Sequence, residues 1–303
     1  MKISSWNEWD QLREIVVGTA TNANWPRYDP IFRAESETTL WKDSPLPLGP
    51  VPQWIIDETN EDLEHLCNIL RQAGVVVHRP TDMDFAAVDG MYNYCPRDRL
   101  LIAGDIVVDT NMHYPCRNIE TQSLQAVLSG NTVLEMPKES EFILDAANVC
   151  RLNDTLLYLE SASGNRAAAI WLDVNLPNWA VETCNFYAGV HIDSTVVPLR
   201  EGLVVLNGSR VNEDNCPKVF DGWSKIYCHD VAAQGFYQYP YASKWIALNM
   251  LVINPHTVIV DRHQTDLIKV LESCQFTVIP HELRHSRTLG GGFHCVTLDT
   301  WRE

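Results

Sequence analysis

Nine cysteines are scattered singly along 303 residues, and only Cys295 follows three consecutive glycines, in LGGGFHC (289–295). Glycine tolerates positive φ and close backbone approach, so such a turn can present a thiol to a ligand. Most unpaired cysteines are instead small buried hydrophobes, and a glycine run can be a plain turn. A reactive thiolate needs partners: a histidine within hydrogen-bond reach, and a carboxylate to orient that histidine. Of ten histidines, His191 in GVHIDSTVVPL is the best candidate. Read as a strand, this segment puts His191 and Asp193 on one face, although a strand histidine beside a solvated Asp is the commoner arrangement. Asp145, in LDAANV, lies between apolar residues and must be paired if it is buried. Asp98, in CPRD, precedes RLLIAGDIVVD, where a cap or turn role is the frequent one.

The elements that would carry these residues are short and alternate in type. Runs rich in Val, Ile and Leu recur at 13–18, 75–80, 99–109, 155–161, 202–208, 257–261 and 276–280, and read as buried strands. Helical periodicity appears at 60–75, where Leu63, Cys67, Ile69 and Leu70 share a face and Gly74 is the stop, and again at 121–130 and 264–275. The order strand, strand, helix, strand implies an α/β architecture with a repeated supersecondary unit. No flexible linker is evident, so one domain over 1–303 is expected. The proline-rich stretch 21–54 has little periodicity and reads as an ordered loop, a lid or a surface insertion.

Composition narrows the partners. A formal charge of −16 argues against a binder of nucleic-acid backbones and suits a cationic small molecule. No apolar run approaches a membrane span and the N-terminus lacks signal-peptide character, so a cytoplasmic protein without membrane partners is expected. Scattered cysteines without a CxxC speak against a disulfide framework or a cysteine zinc site.

Taken in order, SWNEWDQLREIVVG (5–18), CNILRQAGVVVHRP, CPRD, LDAANV, HIDST, YASKWIALNMLVIN (241–254) and LGGGFHC resemble the amidinotransferases, within the guanidino-group-modifying enzymes. The likeness spans nearly the whole chain. It implies a closed five-bladed α/β propeller of ββαβ modules around a central site. It implies Cys295 as nucleophile with His191 and Asp145 as partners, and Asp98 and Asp193 as holders of a guanidinium. Arg210 and Ser243 would take the substrate carboxylate, and Arg117 is either an active-site arginine or a structural ion-pair partner. His294 also matches a family histidine but, adjacent to Cys295 on a turn, is expected to point elsewhere. The implied substrates are L-arginine and an amine acceptor, glycine first, giving guanidinoacetate and ornithine. Another amine, such as an amino sugar phosphate or lysine, or water as in an arginine hydrolase, is the alternative. No metal or cofactor is implied, and a homodimer is compatible with the likeness. Asn148, Val190, Ala242 and Leu298 depart from the glycine-type wording; Val190 and Ala242 bear on acceptor identity.

Overall fold

The computed structural model describes every residue except 39–43, 188 and 190, with the side chains of 35–38 also outside the description. Among the described residues five three-stranded sheets each hold an antiparallel pair whose second strand is joined by a crossover to a parallel third; in four of them the pair is a hairpin. The first blade comprises Leu100–Ala103, Ile106–Asp109 and Thr132–Glu135; the second Val149–Leu152, Thr155–Leu159 and Ala180–Cys184. The third comprises Val196–Arg200, Leu203–Asn207 and Ser224–Cys228; the fourth Leu251–Asn254, Thr257–Asp261 and Thr277–His281. The fifth pairs the C-terminal Thr297–Arg302 with the N-terminal Leu12–Val17, which pairs in turn with Val76–His78. This is a five-bladed α/β propeller closed by its two chain ends. First strands are buried throughout or nearly so, whereas third strands are largely solvated, so the first strand of each blade is the inner one.

The crossovers depart from the periodicity reading in instructive ways. The helix expected at 60–75 begins seven residues earlier, spanning Gln53–Gln72 after Pro52, and packs Ile55, Leu63, Leu66, Cys67 and Leu70 on Leu12 and Ile15. It stops as expected, with Gly74 at φ +81. The stretch 121–130 forms a 3₁₀ segment, Pro115–Leu124, followed by one turn of α-helix, because its apolar positions are too few to bury a full helical face. The third blade has only the 3₁₀ turn Lys218–Phe220 in place of a helix; Asn212, Asn215, Pro217 and Gly222 favour turns there.

Segment 21–54 holds a helix that periodicity missed, Pro30–Thr38. Asp29 accepts from the backbone N–H groups of Ile31 and Phe32, and proline occupies the first helical position, a recognisable start signal. The other Asp29 oxygen accepts from the Cys116 N–H at 3.0 Å, fastening this helix to the first blade's crossover. Phe32 is wholly buried, edge-on to Tyr114 and stacked on Tyr241.

Inner strands are cross-linked by buried charge. Asp299 bonds Arg97, Arg151 and Arg302, while Glu8 holds Arg151 through two bonds of 2.9 and 2.7 Å. Among the described residues, no helix is long and apolar enough to cross a membrane.

Candidate active site

Cys295 is placed by the glycine turn and by one asparagine. Gly290 is left-handed at φ +81, ending the short helix Ser286–Leu289. At Gly291 an added Cβ would stand 2.5 Å from Cys95 Sγ, and at Gly292 2.6 Å from Asn249 Cβ. That close approach lets Asn249 Oδ1 accept from the N–H groups of both His294 and Cys295, at 2.8 and 3.0 Å. The thiol is 1% exposed and donates to Asp193 Oδ2 at 3.2 Å.

His191 and Asp193 do not lie on a strand. His191 has φ +57 and opens a turn that precedes Val196–Arg200, so the two side chains part instead of sharing a face. The Ile192 N–H bonds Ala147 O, tying this turn to the Asp145 turn. His191 Nε2 meets Asp145 Oδ2 at 3.0 Å, and Nδ1 lies 3.7 Å from Asp98 Oδ1. Asp145 Oδ1 accepts from the His113 N–H at 2.8 Å, which fixes the carboxylate.

Asp98 sits in the short helix Pro96–Arg99. Arg117 Nη1 donates to its Oδ2 at 2.9 Å, Glu120 grips the same guanidinium twice, and the Tyr92 ring lies 5.1 Å from it. Asp98 Oδ1 is buried and has no hydrogen-bond partner. An Asp98 oxygen, a His191 ring nitrogen and Cys295 Sγ all lie within 4.8 Å of one another.

These groups adjoin a cavity of about 260 Å³ lined by Tyr92, Asp98, His113, Tyr114, Arg117, Asp145, His191, Tyr239, Tyr241 and Ser243. Cys295 and Asp193 are not on its wall; the thiol is buried next to the Asp98 and His191 groups that are. Larger clefts of about 460 and 510 Å³ border the third blade and hold none of the cluster. Ser243 is on the wall, its Oγ capping the Lys244–Leu248 turn. Arg210 is not: its guanidinium lies over the Tyr187 ring at 4.1 Å and donates to Thr195 Oγ1. Arg117 is both a wall residue and a partner in ion pairs.

Sequence reasoning passed over Glu8, Asn249 and Glu120 and set His294 aside. His294 does turn away from the cavity, but its Nδ1 meets Asp193 Oδ2 at 2.9 Å and its Nε2 meets Glu8 Oε2 at 3.2 Å. The order His-Cys and the acid in SWNEWD were visible; their meeting was not. Of the departures, Asn148 cross-links to Ser161 and Ser163, Leu298 fills core beside Leu100 and Ile102, Ala242 is half-buried with its N–H on Arg287 O, and Val190 lies outside the described residues.

The charges are strongly coupled. Burial pushes the His191 imidazole down, yet Asp98 and Asp145 outweigh it and hold it up at about 9. Asp145 is pushed up by burial but brought below its usual range by the His191 hydrogen bond. Asp98 is raised by burial, which the charges of His191 and Arg117 do not cancel. Burial, then Asp193 and Asp98, push the Cys295 thiol well above its ordinary value. The Cys295 thiol, pushed towards its protonated form, thus lies among the Asp98 and Asp193 carboxylates, groups that hold a planar cation by charge-assisted bonds.

The chain is 41% identical to inosamine-phosphate amidinotransferase 1 of Streptomyces glaucescens, over 99% of its own length and 97% of that relative's. It belongs to the amidinotransferases. The solved inosamine-phosphate amidinotransferase of Streptomyces griseus superposes with a TM-score of 0.93 at 38% identity, covering 99% of this amidinotransferase and 97% of that chain. Mitochondrial glycine amidinotransferase of Xenopus tropicalis is 27% identical, over 99% of this chain and 83% of its own. No protein-family model matches the sequence.

Proposed function

We propose that this amidinotransferase takes the amidino group of L-arginine onto Cys295 and passes it to the amine of a phosphorylated aminocyclitol, residues 1–303 acting as one catalytic domain. The observation that carries the chemistry is the cluster of Asp98, His191 and Cys295 within 4.8 Å, with Asp98 Oδ1 buried, 3.7 Å from His191 Nδ1 and without a hydrogen-bond partner. Asp98 and Asp193 would hold the guanidinium, and its positive charge would favour loss of the thiol proton to solvent, leaving the thiolate, the nucleophilic form of cysteine. Attack of Sγ on the guanidinium carbon forms a C–S bond. The imidazolium of His191, oriented by Asp145, gives its proton to the departing nitrogen as the C–N bond breaks, releasing ornithine and leaving amidino-Cys295. The acceptor amine then returns a proton to His191, attacks the same carbon and expels the thiolate, so one histidine serves as acid and then base. Ser243, on the cavity wall, would meet the substrate's tail; the Arg210 guanidinium would have to leave Tyr187 to do so.

The acceptor rests on kinship: relatives named for inosamine phosphate match this chain at 41%, and those named for glycine at 27%. Tyr92, Tyr114, Tyr239 and Tyr241 line the cavity, and an aromatic wall suits the C–H groups of a cyclitol. One observation favours glycine as a second reading. Arg117 is the one Lys or Arg among the described wall residues and is committed to Asp98 and Glu120, so no spare cation meets a phosphate there.

The deciding experiment incubates purified protein with arginine and, separately, inosamine phosphate, glycine, lysine or buffer, identifying products by mass. Ornithine and a guanidinylated cyclitol phosphate are expected; guanidinoacetate alone selects glycine, and citrulline in buffer selects a hydrolase. Cys295→Ala should stay folded and release no ornithine, and undiminished turnover by that variant excludes the covalent route. Sedimentation of the same preparation distinguishes a monomer from the homodimer with which the likeness is compatible.

A further inference from the structure

His294 adjoins the nucleophile in sequence, faces away from the cavity, and takes no step in the proposed reaction. Its two ring nitrogens meet carboxylate oxygens of Asp193 and Glu8 at 2.9 and 3.2 Å. An ionised carboxylate only accepts, so contacts of this kind at both ring nitrogens call for two donors, the arrangement an imidazolium supplies. It is well enclosed, its side chain 12% exposed, with Glu8 anchored behind it by Arg151 and Arg97. The Asp193 oxygen it contacts also accepts from Cys295 Sγ.

We propose that His294 is a positioning residue: clamped as an enclosed cation between Asp193 and Glu8, it holds the Asp193 carboxylate ionised and aimed at Cys295, ready for the donor's guanidinium. The inference rests on arginine being the donor. Left alone, a carboxylate buried beside the Cys295 thiol tends to take up a proton and stop attracting a cation. Burial does push Asp193 up, but the His294 hydrogen bond and charge more than offset it, so the group falls below its usual range. The charged and titratable groups facing this unit are Asp98, His191 and Cys95 around Cys295, and Glu8 with its arginines behind His294. The N-terminal SWNEWD segment thus reaches the site through Glu8, without touching the cavity.

The test is arginine binding to Cys295→Ala protein, which cannot turn over, by calorimetry from pH 6 to pH 9. Adding His294→Gln should weaken binding on the order of tenfold at pH 6, the shift expected for losing a close opposite charge, and the gap should close towards pH 9. In an Asp193→Asn background, His294→Gln should add no pH-dependent loss. Binding equal in both proteins, or a gap that is the same at every pH, overturns the proposal. If His294→Gln does not fold, His294→Arg, which keeps a cation between the carboxylates, should bind arginine with the parent's pH dependence, and a folded Arg variant that binds tenfold more weakly at pH 6 overturns it too. Failure of Cys295→Ala itself to bind arginine at any pH would instead count against arginine as donor.

Discussion

Arg117 holds Asp98 by one oxygen only, donating to Oδ2 at 2.9 Å while Oδ1 stays buried without a hydrogen-bond partner. An acceptor oxygen left open in this way adjoins the cavity where a guanidinium would sit. Asp98→Asn should keep the fold and lower kcat/KM for arginine by about 2–5 kcal/mol, the cost of losing one partner of a desolvated charge pair. Arg117→Ala should behave differently. It strands both Asp98 and Glu120, whose carboxyl burial already raises to about 7, so urea denaturation should show a loss of about 3–5 kcal/mol.

The His191 imidazole, held at about 9 by Asp98 and Asp145 after burial is overcome, has an unfolded value near 6.5. A folded value above the unfolded one gives stability that is complete below about pH 6.5 and is lost as pH rises through about 9. The urea midpoint should therefore decline across that window by the equivalent of about 3 kcal/mol. His191→Gln should lack this component of the decline, and an unchanged slope in the variant would contradict the assignment.

Gly292 allows Asn249 to reach the backbone of the nucleophile. Gly292→Ala should cost about 1–3 kcal/mol, as overpacking does, measured by thermal melting. It should also slow ornithine release by more than that stability loss explains at temperatures where the protein is fully folded. Gly222→Ala is a useful contrast, since an added Cβ there meets nothing within 4 Å and only its positive φ is strained.

Phe32 backs two tyrosines of the cavity wall from the helix Pro30–Thr38. Phe32→Ala should destabilise by about 3–5 kcal/mol and let Tyr114 and Tyr241 relax. Steady-state kinetics should then show a KM increase for the acceptor larger than any fall in kcat. Unaltered KM in a folded variant would mean that this helix does not shape the pocket.

Much of this protein is written locally. The glycine run, the apolar strands and the stop at Gly74 are legible because backbone conformation and strand burial depend on neighbouring residues, whereas the segments carrying Asp98, Asp145, His191 and Cys295 stand out as a set only through their resemblance to the amidinotransferases. Even the helix at Pro30 had a local signature in Asp29 and Pro30. What the sequence could not decide is which side chains share a charge. His191 and Asp193, two residues apart, take separate partners because a positive φ at His191 turns the chain between them. Glu8 and His294, 286 residues apart, meet at 3.2 Å because propeller closure brings the first and last segments together. Arg117 could be read from sequence as binder or brace; the fold surrounds it with Asp98, Glu120 and Tyr92 and also sets it on the cavity wall. Local propensity falls off within a few residues, whereas a buried charge is settled by whatever groups the closed structure places within hydrogen-bond reach of it.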